Sequence, residues 1–144
     1  MRNYLLVALA TTALVGCATT PVPITAAKQA PSDRLLAFQD KPTGPSGTIT
    51  VIRDDGLIGG GCYQAVSING KTAARLDVGE KSTFFVSPGE VLLRAGRDPQ
   101  GKGLCSIGQD DWTQRETLIK QDEHKYFRMS IDTSGKNDIQ RVEP

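Results

Sequence analysis

Histidine and tryptophan each occur once in the 144 residues, and cysteine three times. So few imidazoles and thiols leave little for a metal site. Neither sign of charge is in surplus: 17 basic residues face 16 acidic ones, a formal charge of +1. Without a basic excess there is no electrostatic footprint for nucleic acid, and without an acidic excess there is no solvating tail. No Gly-x-Ser-x-Gly elbow and no Cys-x-x-Cys pair appear, and Gly59-Gly60-Gly61 lacks the Lys-Ser/Thr that closes a phosphate loop. No 12-residue window carries a sustained helical stripe. At 38% hydrophobic, 23% charged and 6% aromatic, the chain is neither collagen-like nor a polytopic membrane protein nor fully disordered. Its length suits one domain.

What is present begins at the N-terminus. Arg2 precedes an uncharged apolar run, Tyr4 to Val15. A membrane-spanning helix needs roughly 20 apolar residues, so this run has the length of a signal-peptide core instead. It ends in Leu14-Val15-Gly16-Cys17, which resembles the lipobox of bacterial lipoproteins. Leu14 suits an apolar pocket of the peptidase, Gly16 is small enough for its cleft, and Cys17 alone of the four has a nucleophilic sulfur. The resemblance implies a signal peptide over residues 1–16 and a lipid on Cys17. Ala18, where an inner-membrane lipoprotein of the enterobacterial type has Asp, implies the outer membrane, with the protein lipid-anchored and facing the periplasm. Arg2 leaves with the signal, so the anchor owes nothing to a polybasic patch. Several acyl chains suffice, at about 0.8 kcal/mol per buried CH₂.

Residues 17–46 read as a lipidated cysteine and a tether. Five of the eight prolines fall between Ala18 and Ser46, and proline-rich segments favour an extended, unpacked chain. At roughly 3.1 Å per residue such a tether reaches up to about 90 Å. Within it, Ser32 is a candidate N-cap for a helical turn ending near Phe38, with Leu35, Leu36 and Phe38 as an apolar patch.

From residue 47 to 144 the pattern is all-β. Eleven of the fifteen glycines lie between Gly56 and Gly108, between short β-rich runs. The runs are Thr48–Arg53, Tyr63–Ile68, Thr72–Val78, Ser82–Ser87, Val91–Ala95, Arg115–Lys120, Lys125–Asp132 and Ile139–Val142. Seven or eight short strands at this spacing predict a small antiparallel β-sandwich. Phe127, Met129 and Ile131 alternate with Arg128 and Ser130, the period of a half-buried strand. Asn69-Gly70 signals a type I′ hairpin, since both central residues tolerate positive φ. That hairpin puts Leu76 on the wrong face for Val66 and Ile68 unless a bulge near Ala74 shifts the register. Pro88-Gly89 marks a second turn.

The run Thr48 to Arg53, then Ile68-Asn69-Gly70-Lys71, Leu76, Gly79, and Phe84 to Glu90 resembles a family of small bacterial outer-membrane lipoproteins of unknown function. Their domain is related in layout to PEGA-type and transthyretin-like β-sandwiches. The resemblance covers about Gly47 to Ala95 and implies a fold, not an activity. Residues 96–144 lie outside it.

With Cys17 assigned to the lipid, Cys62 and Cys105 form an even pair in an oxidising compartment, which predicts a disulfide. The remaining thiols and His124 fall short of a zinc set. His124, in Gln121-Asp122-Glu123-His124-Lys125, reads as a solvated turn. Asp54-Asp55-Gly56 and Asp110-Asp111-Trp112 are the candidate ligand or partner loops: paired carboxylates could hold a cation or serve as acid and base. Asp132–Asp138 loosely resembles a calcium loop without its closing Glu. Turns use Asp for their own backbone, and that reading is preferred for all three.

The expectation is a non-enzymatic envelope lipoprotein with no cofactor or metal. It would touch the membrane through its lipid and bind an envelope protein or cell-wall partner. The alternatives are a loop-based binder of a glycan or cation, and a carboxylate-dependent hydrolase. Cys17→Ser should leave an unlipidated, mislocalised precursor. Intact-mass measurement of the wild type should find a lipidated chain starting at Cys17; a bare Cys17 or another first residue refutes the assignment.

Overall fold

The computed structural model describes residues 19–144. Cys17, Ala18 and the signal-like run lie outside the described residues. Among the described residues nine strands follow in order: β1 Lys28–Gln29, β2 Gly47–Arg53, β3 Gln64–Ile68, β4 Lys71–Leu76, β5 Glu80–Val86, β6 Gly89–Arg97, β7 Trp112–Ile119, β8 His124–Ile131 and β9 Asn137–Val142. They form two sheets, ordered β1-β5-β2-β8-β9 and β4-β3-β6-β7. The all-β sandwich expected from the spacing is what forms, and each of the eight expected runs is a strand. One central pairing departs from an antiparallel layout. β2 and β8 run parallel, with Thr48 opposite His124 and Arg53 opposite Met129, because β8 returns to the first sheet only after β3, β4, β6 and β7.

Alternation decides what is buried. Ile49 and Val51 of β2, Phe84 and Val86 of β5, and Phe127 and Met129 of β8 face Val66, Ile68, Leu76, Val91, Leu93 and Ile119 of the second sheet in one core. Each such side chain, fully buried, stabilises the fold by about 1.5–3 kcal/mol. Asn69 and Gly70 adopt φ of 50° and 80°, and Ile68 sits opposite Lys71. The register then slips: Val66 pairs with Ala74 and Ser67 with Thr72, leaving Ala73 as an extra residue. This is the expected bulge, and Leu76 turns inward with no exposure. Pro88-Gly89 does not close a hairpin. It is a corner where the chain leaves the first sheet at Val86 for the second at Gly89.

The tether expectation is corrected. From Thr19 onward the segment is a strap laid on the sandwich, so the packed body extends back well before Gly47. Thr20 forms a bridge with Asp55. Lys81 Nζ donates to the carbonyl of Ile24 at 2.6 Å, and Arg128 Nη1 to that of Val22 at 3.4 Å. Lys81 and Arg128 both pair in register with Ile52, whose side chain points to the outer face and has no exposure. The strap then adds β1 to the edge of β5. After a 3-10 turn at Ser32–Arg34 it pairs Leu35 with Ala74 on β4. The carbonyl of the bulged Ala73 accepts from the amides of Leu36 (2.8 Å) and Ala37 (3.2 Å). Proline removes donors but not acceptors, so side chains donating to strap carbonyls hold a proline-rich chain flat. Ser32 makes no side-chain cap, and Pro31 flanks the turn instead.

Arg34 fastens the strap. Its Nη1 and Nη2 meet the Glu80 carboxylate at 2.7 and 2.6 Å, and Nη1 also donates to the Arg75 carbonyl at 3.1 Å. Its guanidinium lies 4.5 Å from the Tyr63 ring centre. Arg34→Ala should therefore cost about 1–3 kcal/mol by leaving the partly buried Glu80 carboxylate with only the Asp77 amide as a donor. Hydrogen exchange should show the amides of Ala30 and Leu36 losing protection while Val51 and Phe127 keep theirs. Unchanged strap protection would show that the ion pair does not hold it.

Candidate functional site

The strand directions gather the long connections at one end of the sandwich. β2 and β8 finish there at Arg53 and Ile131, and β6 at Arg97, which pairs with Gln64. The connections 54–63, 98–111 and 132–136 therefore share that end with Thr19. The Thr19 amide donates to the Ile131 carbonyl, and the Ile131 amide to the Thr19 hydroxyl.

Buried cations and acids shape these loops. Arg53 is 2% exposed and donates to the carbonyls of Cys62 (2.7 Å), Leu76 (2.7 Å) and Gly59 (2.8 Å). Burial lowers its pKa to about 10, which still leaves it charged at neutral pH. It props up the glycine-rich turn from inside. Gly59 sits at φ 69°, where a side chain is strained, and a Cβ there would also displace Ile131 Cδ1 at 2.8 Å. Asp98 organises the second loop, accepting from Arg75 Nε at 2.9 Å and Nη2 at 2.5 Å and from the Gln100 amide at 2.9 Å. The two loops are joined covalently. Cys62 and Cys105 form the expected disulfide, with Cα atoms 5.5 Å apart. Three apolar side chains project from the joined loops: Leu57 is 90% exposed, Leu104 82% and Ile107 65%.

The residues nominated from sequence separate here. Asp54 is not an open ligand: it is 2% exposed, bound to Arg128 Nη1 at 2.5 Å and to the Val22 amide at 3.2 Å. Burial raises its pKa, and these two partners oppose the rise. It clasps the strap, while Asp55 is exposed and accepts from the Gly56 amide, so the two carboxylates do not converge. Asp110 and Asp111 are exposed at the loop end, and Trp112 opens β7 half-exposed under the Arg94 guanidinium, 3.7 Å from its ring centre. Asp132 uses one oxygen for the amides of Ser134 and Lys136 and the Ser134 hydroxyl. The Ser134 hydroxyl foremost holds its pKa below the usual range. The calcium-like spacing is thus a self-bonded turn.

His124 stays largely exposed, as read from sequence, but is the first residue of β8 rather than part of the turn. Its Nε2 lies 2.8 Å from Thr50 Oγ1, and its ring stacks on Tyr126 with centres 4.3 Å apart. Parallel register creates this neighbourhood, which no local motif signals. A hydroxyl beside an imidazole is the start of a nucleophile–base pair. Here, however, Thr50 is 3% exposed and shares its hydroxyl with Thr83 at 2.6 Å, a cross-strand ladder. Sequence reading also passed over Leu57, Leu104 and Ile107. Their signal is an apolar residue stranded among loop glycines.

Comparison with protein-family models and with curated proteins finds nothing that matches this chain.

Removing the disulfide by Cys62→Ser with Cys105→Ser should lower stability by up to about 4 kcal/mol for a loop of about 44 residues. The core amides of β2 and β8, which exchange by global unfolding, should lose protection by the same free energy, and an unchanged melting temperature and core protection would show that the bridge adds no stability. Partial burial holds the His124 pKa below its ordinary value. The unfolded chain then binds more protons, so stability present above about pH 6.5 is lost as pH falls. His124→Gln should flatten that part of the melting-temperature profile; an unchanged profile would place the acid sensitivity elsewhere.

Proposed function

We propose that this chain is a lipid-anchored protein of the cell envelope, held on the outer membrane and facing the periplasm, whose β-sandwich binds a partner and catalyses nothing. The Leu14-Val15-Gly16-Cys17 box supports the anchor. The disulfide supports an oxidising compartment. The resemblance of Gly47–Ala95 to small envelope lipoproteins points the same way.

One observation carries the binding reading: the two sides of the sandwich are finished differently. The strap pairs with β5 and β4 on one side. On the other, β7 and β9 meet through side chains rather than a strand ladder. Thr113 Oγ1 donates to the Asn137 carbonyl at 2.5 Å and Arg115 Nε to that of Ile139 at 3.3 Å, while Lys125 Nζ of β8 donates to the Leu118 carbonyl of β7. Between them runs a groove of about 550 Å³, lined by Leu118, Phe127, Ile139, Arg115 and Arg141 among others. An unladdered edge beside a groove that combines exposed Leu118 with Arg115, Glu116, Gln140 and Arg141 suits an extended segment of an envelope protein, with main-chain bonds for affinity and pockets for specificity.

A second reading, binding of a small ligand such as a glycan, has one supporting feature. A hollow of about 400 Å³ beside the disulfide is lined by Tyr63, Arg75, Gln100 and Lys102. A ligand-dependent rise in melting temperature would favour it.

A photoreactive residue at Glu116 on β7 should give discrete crosslinked products in intact cells, and one at Lys28 on the strap side should not. Equal crosslinking at both positions, or none at Glu116, would overturn the edge-binding reading.

A further inference from the structure

We propose that the loop end of the sandwich rests in the membrane surface itself, with Leu57, Leu104 and Ile107 entering the lipid interface beside the Cys17 anchor. The inference rests on the lipid-anchor reading above and adds the orientation of the domain. Thr19 is fixed at this end by Ile131, and Thr20 by Asp55. Cys17 lies two residues before Thr19, a span of at most about 7 Å. A lipid on Cys17 therefore brings the bilayer to the loop end and to no other part of the domain.

The side chains at that end fit such a surface. Leu57 projects from the turn that Arg53 props, next to Gly56, where an added Cβ would lie 3.0 Å from Thr19 Cγ2. Leu104 and Ile107 flank Cys105, which the disulfide ties to the same turn. Large apolar tips at 65–90% exposure, on loops already braced, can enter an interface without ordering costs. Leucine beside an anchor is the chemistry of shallow insertion into the headgroup and acyl boundary. The surrounding charge is mixed, Asp55 and Asp110 against Lys102 and Lys136, so the contact is apolar rather than a polybasic attraction and needs the lipid to bring it about. In this orientation the β7–β9 side stands clear of the membrane, open to a partner.

The test uses the lipidated full chain reconstituted in phosphatidylethanolamine–phosphatidylglycerol vesicles, with and without lipids brominated near the glycerol end of the acyl chain. Leu57→Trp in a Trp112→Phe background reports the tip, Leu104→Trp repeats the measurement on the second loop, and Leu118→Trp is the control. Both tip variants should show blue-shifted emission and lose about half their intensity to bromine, a depth typical of interfacial insertion, while the control stays unquenched. Unquenched, water-like emission at both tips, with Cys17 shown lipidated by intact mass, overturns this inference and leaves the anchor standing; it would give the tips to a protein partner. A bare Cys17 overturns the anchor reading, and this inference with it.

Discussion

The Arg34 guanidinium joins the strap to three places on the sandwich, each far from it in sequence. It holds Glu80 at the head of β5 in one sheet, the Arg75 carbonyl of β4 in the other, and lies over Tyr63 ahead of β3. Both sheets are thereby fastened to the strap on the side where their edges approach. A partly buried ion pair of this kind contributes more by fixing geometry than by adding stability over a well-packed apolar substitute. It fixes where the strap lies. With that fixed, the bulge at Ala73 finds donors in Leu36 and Ala37, and Ile52 is covered on the outer face.

How far the sequence could be read follows from the range of each interaction. Strands were legible because period two is local, as in Phe127, Met129 and Ile131. The Asn69-Gly70 turn and its bulge were legible because hairpin register is set by adjacent residues. The Cys62–Cys105 bridge was legible from cysteine count and the expected compartment. The strap was not, because its partners are side chains 57 and 106 residues away, Lys81 on Ile24 and Arg128 on Val22. Proline content reports which amides are missing and says nothing of carbonyls. The same limit applied at the site. Asp54 looked like half of an exposed acidic pair and is a buried clasp, whereas Asp110, Asp111 and Trp112 do stand at the loop end. Thr50 and His124 became neighbours only through a parallel pairing that no local signal encodes.

Coverage by the strap also bears on how the protein interacts. A sandwich with two open sides would offer two templates for strand pairing. Here the chain's own N-terminal segment occupies β5 and β4, and the opposite side carries the groove between β7 and β9. Under the proposed lipid anchor, reach comes from the domain's own breadth, because the strap leaves no long tether.

The attachment at Thr19 has a mechanical meaning. Any pull on the chain before it enters the body through the Thr19–Ile131 and Thr20–Asp55 hydrogen bonds, at the very end of the strap. Beyond them, β1 runs parallel to β5, so tension drawn out past the loop end loads that contact along the strand axis, in shear. The guanidinium of Arg34 comes after β1 in the line of force. Tension applied from the N-terminal side thus meets contacts one after another, and the packed core is the last to bear it.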